Sequence, residues 1–101
     1  MGEVVKWGII GLGNIAHEFA KSFYNTKNAK LIAIASKSQN KLSKFRENFN
    51  IDISNCHNDY EKLLNNNKED IVYIALPNRL HYEWVKKSLD FKKHILVEKP
   101  A

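Results

Sequence analysis

The sequence has one cysteine and two prolines, and its apolar runs are short. The lone Cys56 permits no intrachain disulfide and predicts a reducing compartment, the cytoplasm. It has no His or Cys neighbour at metal-ligand spacing, so neither a metal site nor a thiol nucleophile is indicated. Because nowhere do about eighteen apolar residues run together, no transmembrane helix and no membrane partner are expected.

Acidic residues are also in the minority, with 11 Asp and Glu against 16 Lys and Arg, for a net charge of +5. The lysines are dispersed, and most fall on polar faces or in last turns of predicted helices, where they complement the helix dipole. A nucleic-acid surface typically carries a basic run with interleaved aromatics, and none occurs. We therefore expect no nucleic-acid partner.

What the chain does have is a glycine turn between an apolar strand and an apolar helical stripe. Residues 4–10 predict a buried strand. The stripe has helical spacing and consists of Ile15, Ala16, Phe19, Ala20, Phe23 and Tyr24. Between them stands Gly11-x-Gly13-x-x-Ala16, the pattern of a dinucleotide-binding turn with alanine in third place.

Each small residue of this turn has a physical role. Gly11 permits a tight bend, Gly13 lets the backbone approach a pyrophosphate, and Ala16 lets helix and strand pack closely. The first N–H groups of the helix attract a phosphate. A plain glycine turn is the alternative, and the position between strand and helix favours dinucleotide binding.

The rest of the chain alternates strands and helices. Strands are predicted over residues 30–36, 51–56, 71–76 and 94–97, and helices over 41–48, after Asp59, and from Asn78 to about residue 91. The last helix would turn inward Leu80, Trp84, Val85 and Leu89. We predict one α/β domain over residues 1–101, a Rossmann-type doubly wound parallel sheet with five strands in the order 3-2-1-4-5.

Ligands of such sheets bind outside the carboxyl ends of the strands, where four features of this sequence fall. They are the glycine turn, Ser36-Lys37-Ser38, Leu76-Pro77-Asn78 and Glu98-Lys99-Pro100. The second of these lacks the acid that would select NAD, and two hydroxyls with an ammonium suit a 2′-phosphate. We interpret it as a preference for NADP over NAD, the alternative being a polar loop.

Glu98-Lys99 places two charges where the last apolar strand ends. Lys99 would hydrogen-bond a substrate oxygen, stabilise alkoxide charge or fix the nicotinamide ribose; a terminal charged turn is the other interpretation. His81 fits a base or a surface residue near a helix start. We expect His17, just inside the first helix, to be solvated, the alternative being an approach to phosphate. His57 and His94 offer nothing specific.

Together these motifs resemble the glucose-fructose oxidoreductase, inositol dehydrogenase and rhizopine-catabolism family, called Gfo/Idh/MocA. The resemblance covers the whole chain. It rests on residues 8–16, 35–38 and 59–64, on Pro77-Asn78-x-x-His81 and, most specifically, on Glu98-Lys99-Pro100-Ala101. It implies NAD(P)-dependent hydride transfer at a hydroxyl-bearing carbon of a sugar, cyclitol or related diol.

The resemblance also implies site residues. The pyrophosphate would be held by Gly11, Gly13, Asn14 and Ile15, and the adenosine ribose or its phosphate by Ser36, Lys37 and Ser38. The path to the nicotinamide ribose would be lined by Leu76, Pro77, Asn78 and His81. Glu98 and Lys99 would reach the nicotinamide end, with Lys99 as the catalytic residue touching substrate.

Members of this family continue well past residue 101, into a second α/β domain that supplies the acid/base histidine and the oligomer interface. We therefore expect a small-molecule substrate, a homo-oligomeric whole protein and no turnover from these residues alone. The last strand would be an edge with unpaired N–H and C=O groups, so we expect these residues alone to be marginally stable or to pair edge to edge with another copy.

Two other functions compete with the enzyme. A non-catalytic dinucleotide-binding sensor or regulatory module is expected to lack the lysine, so Lys99 favours an enzyme. A receiver-like signalling domain needs clustered acids at the end of the first strand, where this chain has glycines.

Overall fold

Five parallel strands form one sheet in the computed structural model, which describes residues 4–66, 69–76, 78–90 and 94–97, with the backbone alone for Asn78, His81 and 94–97. The strands are β1 (Val5–Ile10), β2 (Ala29–Ala35), β3 (Cys56–His57), β4 (Ile71–Ile74) and β5 (His94–Val97). They lie in the order β3-β2-β1-β4-β5, and every neighbouring pair is parallel. The doubly wound sheet and its strand order are confirmed.

Four helices connect the strands. They are α1 (Asn14–Lys21), α2 (Gln39–Phe49), α3 (Tyr60–Asn66) and α4 (Asn78–Asp90), with short 3-10 turns at Ser22–Asn25 and Ile53–Asn55. Asp59 caps α3 as predicted, since its carboxylate accepts the N–H of Glu61 at 3.0 Å. In the described part of the chain, no helix has the length and apolar content to cross a membrane.

The two faces of the sheet carry separate apolar clusters, because successive strand residues point to opposite sides. Ile9 and Ile34 pack with α1 and α2 on one face. Ile10 and Ile74 pack with α3 and α4 on the other. Strands covered on both faces need continuous apolar runs, and such runs are the reason that β1, β2 and β4 could be predicted from the sequence.

Two segments differ from the predictions. The third strand has only two residues, because the Asp52 carboxylate accepts the N–H of Ser54 at 2.9 Å and bends the chain into the 3-10 turn before it. On α4, Leu89 is 60% exposed, so placing it on the inner face was wrong. Ser88 is buried instead, four residues after Trp84, and its hydroxyl donates to the Trp84 carbonyl at 2.7 Å.

The helical stripe after the glycine turn is also shorter than predicted. α1 ends at Lys21, where the chain tightens into the 3-10 turn, so Tyr24 leaves the stripe and is 67% exposed. Ile15 is 54% exposed at the start of the helix. Ala16 and Ala20 carry the buried side of α1 against the sheet.

Candidate functional site

Gly11 forms the bend between β1 and α1, and the fold itself requires a glycine there. Its φ is +91°, a region that side chains disfavour. A Cβ at this position would lie 2.7 Å from the carbonyl oxygen of Ala75, a backbone atom that follows β4. The N–H of Gly11 donates to the carbonyl of Ala35 at 3.0 Å, which ties the turn to the end of β2.

Gly13 directly precedes α1, and the fold does not require a glycine at this position. Its φ of −87° and ψ of −165° are open to any residue, and a Cβ would meet nothing within 4 Å. α1 has no side-chain cap among the described residues and no acid in its first turn. Ser38, in contrast, caps α2 by accepting the N–H of Lys41 at 3.3 Å. The first N–H groups of α1 thus remain uncapped beside open space, an arrangement suited to an anion.

Asn14 and Ile15 extend this site along the exposed side of α1. Together with Glu18, Phe19 and Tyr73 they line a cavity of about 410 Å³. Its apolar floor is formed by the rings of Phe19 and Tyr73, which stack with centroids 3.9 Å apart. An apolar cavity therefore adjoins the uncapped N-terminus of α1.

The loop after β2 is organised by its two serines. Ser36 is buried, and its hydroxyl accepts the N–H of Ser38 at 3.1 Å. The N–H of Ser36 donates to the carbonyl of His57 at 3.1 Å, which fixes the loop to the end of β3. Lys37 between them is exposed, and its Nζ lies 5.3 Å from the centroid of the Tyr60 ring. The structure thus holds Ser36 inside the turn and presents Lys37 outside it.

The end of β4 contacts the glycine turn. Leu76 is 9% exposed, and its Cδ2 lies 2.8 Å from the place where a Gly11 Cβ would stand. Asn78 and His81 belong to the first turn of α4. Pro77 lies outside the described residues.

The predicted site residues after β5 can be located only through the position of β5 itself. β5 ends at Val97, the register partner of Ile74 in β4, so the carboxyl ends of the two strands meet at one edge. Glu98, Lys99 and Pro100 lie outside the described residues.

Three further residues considered as candidates, His17, Cys56 and His57, lie among packed neighbours. His17 is half-buried, with its ring edge-on to Phe45 and Phe49 at 5.9 and 5.2 Å, so the expectation of a solvated ring was wrong. The Nε2 of His57 lies 3.5 Å from Asn66 Nδ2. Burial raises the pKa of the Cys56 thiol. No metal-binding group of three His, Cys, Asp or Glu occurs in the described ranges.

Tyr60 lies beside the loop after β2, since Lys37 Nζ is 5.3 Å from its ring centroid, and sequence reasoning did not single it out as a candidate site residue. It begins α3 directly after the capping Asp59, and it is 7% exposed. Burial raises the pKa of its phenol above the ordinary tyrosine value. Its position after the third strand, at the same edge as the loop after β2, was the available signal.

A family model described as an oxidoreductase family with an NAD-binding Rossmann fold, Gfo/Idh/MocA, matches residues 5–101. This chain belongs to that family. An oxidoreductase from Formosa agariphila is 31% identical over 101 residues, which are 99% of this chain and 31% of that protein. The chain thus spans about a third of the length of that family member.

Solved structures of family members share the fold and differ in cofactor. A mutant 3-ketoreductase from Actinomadura kijaniata, in complex with TDP-benzene and NADP, aligns with a TM-score of 0.88 at 30% identity, covering 97% of this chain and 31% of that one. Scyllo-inositol dehydrogenase from Lactobacillus casei, with NAD(H) and scyllo-inositol, aligns with a TM-score of 0.88 at 25% identity, covering 97% and 28%. The family therefore supports a nicotinamide dinucleotide without choosing between the two forms.

Proposed function

We propose that this chain is the cofactor-binding part of an NAD(P)-dependent oxidoreductase that transfers a hydride to or from a hydroxyl-bearing carbon of a sugar, cyclitol or related diol. The observation that carries the proposal is the open space at Gly13. The fold has room for a side chain at this position, yet the residue is glycine, and it lies beside the uncapped N–H groups of α1. A pyrophosphate lying against the backbone explains both facts.

The chain's own residues would divide the work of binding. Gly11 shapes the turn, while Gly13, Asn14 and Ile15 hold the pyrophosphate with backbone N–H groups. The loop of Ser36, Lys37 and Ser38 meets the adenosine ribose. Because Lys37 is exposed and has no carboxylate within ion-pair distance among the described residues, its charge is available to a 2′-phosphate, which supports NADP over NAD.

The nicotinamide half would lie toward β4 and β5. By the family resemblance, the residues that would line the path to it are Leu76, Pro77, Asn78 and His81, and the nicotinamide ring, when bound, would supply the hydride acceptor or donor. Glu98 and Lys99 follow β5, whose carboxyl end shares an edge with that of β4. We propose that Lys99 contacts the substrate oxygen and stabilises negative charge on it, and this role rests on the sequence motif.

The substrate, the oligomeric state and the cellular compartment are properties of the whole protein, and we propose each of them from separate observations. One of the aligned structures holds TDP-benzene and another holds scyllo-inositol, and the latter supports a hydroxyl-rich small molecule as substrate. We also propose that the whole protein is a homo-oligomer, and that two copies of this chain can pair along β5, which lies at one edge of the sheet. The lone Cys56 supports a reducing compartment such as the cytoplasm.

Titration of the purified protein with NADPH and NADH tests the proposal, with tryptophan fluorescence and calorimetry as readouts. Both dinucleotides should bind saturably, and NADPH should bind more tightly. A Gly13→Val variant should keep the unfolding transition of the wild type and lose about tenfold or more in affinity for both, because its side chain occupies the phosphate space.

Lys21→Gln is the matched control, since Lys21 is exposed in the last turn of the same helix. It should bind both dinucleotides as the wild type does. Absence of saturable binding, or a Gly13→Val variant with wild-type affinity, would refute the proposal. Oxidation of a panel of sugars and cyclitols by the whole protein with NADP then tests the reaction.

A further inference from the structure

The ammonium of Lys37 has a fixed neighbour in the structure. Its Nζ lies 5.3 Å from the centroid of the Tyr60 ring, within the range of a cation–π contact. The two residues are 23 positions apart in sequence, and the pairing of β2 with β3 brings them together, because one follows β2 and the other follows β3. Such a contact favours one lysine conformer by a factor of about two to five at an exposed site.

The Tyr60 ring is itself held in place. It packs edge-to-face on Trp84 of α4, with centroids 5.0 Å apart and an interplanar angle of 86°. Both rings are nearly buried, at 7% and 6% exposure. The backbone at this point is fixed by the Asp59 cap. The lysine therefore rests on a rigid platform, whereas a lysine in solvent samples many rotamers.

We propose that Tyr60 is a positioning residue that sets cofactor choice: its ring holds the Lys37 ammonium at the rim of the adenosine site, where it favours a dinucleotide with a 2′-phosphate. The inference rests on the proposed function. A cation already placed loses less rotational freedom when a phosphate binds. NAD has no phosphate at that position, so the placement strengthens binding of NADP and leaves binding of NAD unchanged.

The test compares Tyr60→Leu with Tyr60→Phe, and the readout is the ratio of the NADH and NADPH dissociation constants. Phe keeps the aromatic face and should keep the ratio within about twofold. Leu removes the face and should lower the ratio by a factor of about two to five, through weaker NADPH binding with NADH binding unchanged. A merely structural role would weaken both dinucleotides together.

Two controls isolate the contact. Lys87→Met removes the other lysine on the same cluster, whose Nζ lies 4.6 Å from the Trp84 ring centroid, and should leave the ratio unchanged. In a Lys37→Met background, Tyr60→Leu should have no further effect on the ratio, because the charge that it positions is gone. Upfield ring-current shifts of the Lys37 ε-methylene in the wild type, measured by NMR, give a readout that needs no variant at Tyr60.

The outcomes separate the two proposals. A wild-type protein that binds neither dinucleotide overturns the proposed function. If both bind, the positioning role of Tyr60 is overturned when the ratio of dissociation constants is unchanged in Tyr60→Leu, or falls as much in Tyr60→Phe as in Tyr60→Leu. It is also overturned when Tyr60→Leu still changes this ratio in the Lys37→Met background, or when the Lys37 ε-methylene resonances show no upfield shift.

Discussion

The α-carbon of Gly11 lies so close to the backbone of Ala75 that a Cβ on it would be 2.7 Å from the Ala75 carbonyl oxygen. That oxygen cannot move freely, because the N–H of Ala75 donates to Ile10 at 2.9 Å and anchors the segment after β4 to the end of β1. Two residues further along, the same turn leaves Gly13 open to solvent. One glycine therefore serves packing within the protein, and the other is left for a ligand.

Gly11→Ala should lower the free energy of unfolding by about 2–4 kcal/mol, measured by urea denaturation. The positive φ contributes about 1–2 kcal/mol and the forced contact with Ala75 a similar amount. Gly13→Ala is the internal control. Its stability should stay within about 1 kcal/mol of the wild type, or rise slightly, because the φ is ordinary and the space is open. Equal losses in the two variants would contradict the division of roles.

Ser38 combines a helix cap with a place in the adenosine loop, and two substitutions separate these roles. Ser38→Ala should cost about 1 kcal/mol of stability, because the N–H of Lys41 loses its acceptor. Ser38→Asp should retain the stability, since aspartate also caps helices. It should weaken the binding of NADPH about tenfold relative to that of NADH, because the carboxylate repels the 2′-phosphate.

Denaturation and dinucleotide titration of the same two preparations provide the measurements for Ser38. An Asp variant as unstable as the Ala variant would contradict the capping role. An Asp variant with the wild-type preference for NADPH would place the 2′-phosphate elsewhere.

The half-buried Cys56 should react slowly with a thiol reagent such as DTNB at pH 8. Burial raises the pKa of its thiol, and the nearby Arg46 charge lowers it by a smaller amount. The folded protein thus holds the thiol proton more tightly than the unfolded chain, so this group lowers the free energy of unfolding as pH rises from the unfolded pKa to the raised folded pKa. The reaction rate of Cys56 should keep increasing with pH in alkaline solution, where the rate of a free cysteine no longer rises because its thiol is already ionised.

Protein unfolded in urea supplies the reference rate for Cys56, and it should react severalfold faster than the native protein at pH 8. Arg46→Gln should slow the native reaction further, because it removes the charge that favours the thiolate. A native rate equal to the unfolded rate would show that burial does not protect this thiol.

Much of the fold follows from local sequence patterns. The apolar runs of β1, β2 and β4 have to be continuous, because both faces of these strands are covered. The glycine turn marks where the first strand gives way to a helix, and the right-handed rule for crossovers then orders the strands. The Asp59 cap was likewise legible, because a cap acts within one turn of the chain.

The elements that were predicted poorly depend on contacts beyond their own segment. β3 shrinks to two residues because a carboxylate at Asp52 competes for the backbone. Leu89 is exposed because α4 is rotated so that Trp84 and Ser88 meet the sheet. His17 is half-buried because α2 brings two aromatic rings to it.

The sequence by itself determined the parallel α/β sheet and its strand order, which follow from periodicity and from the handedness of the crossovers, and it predicts the place of the candidate site from residues adjacent in the chain. Only the tertiary structure decided which glycine the fold needs and which it leaves free, and that Tyr60 lies against Lys37. The physical reason is that these facts depend on atoms from strands distant in sequence, which meet only when the sheet has assembled.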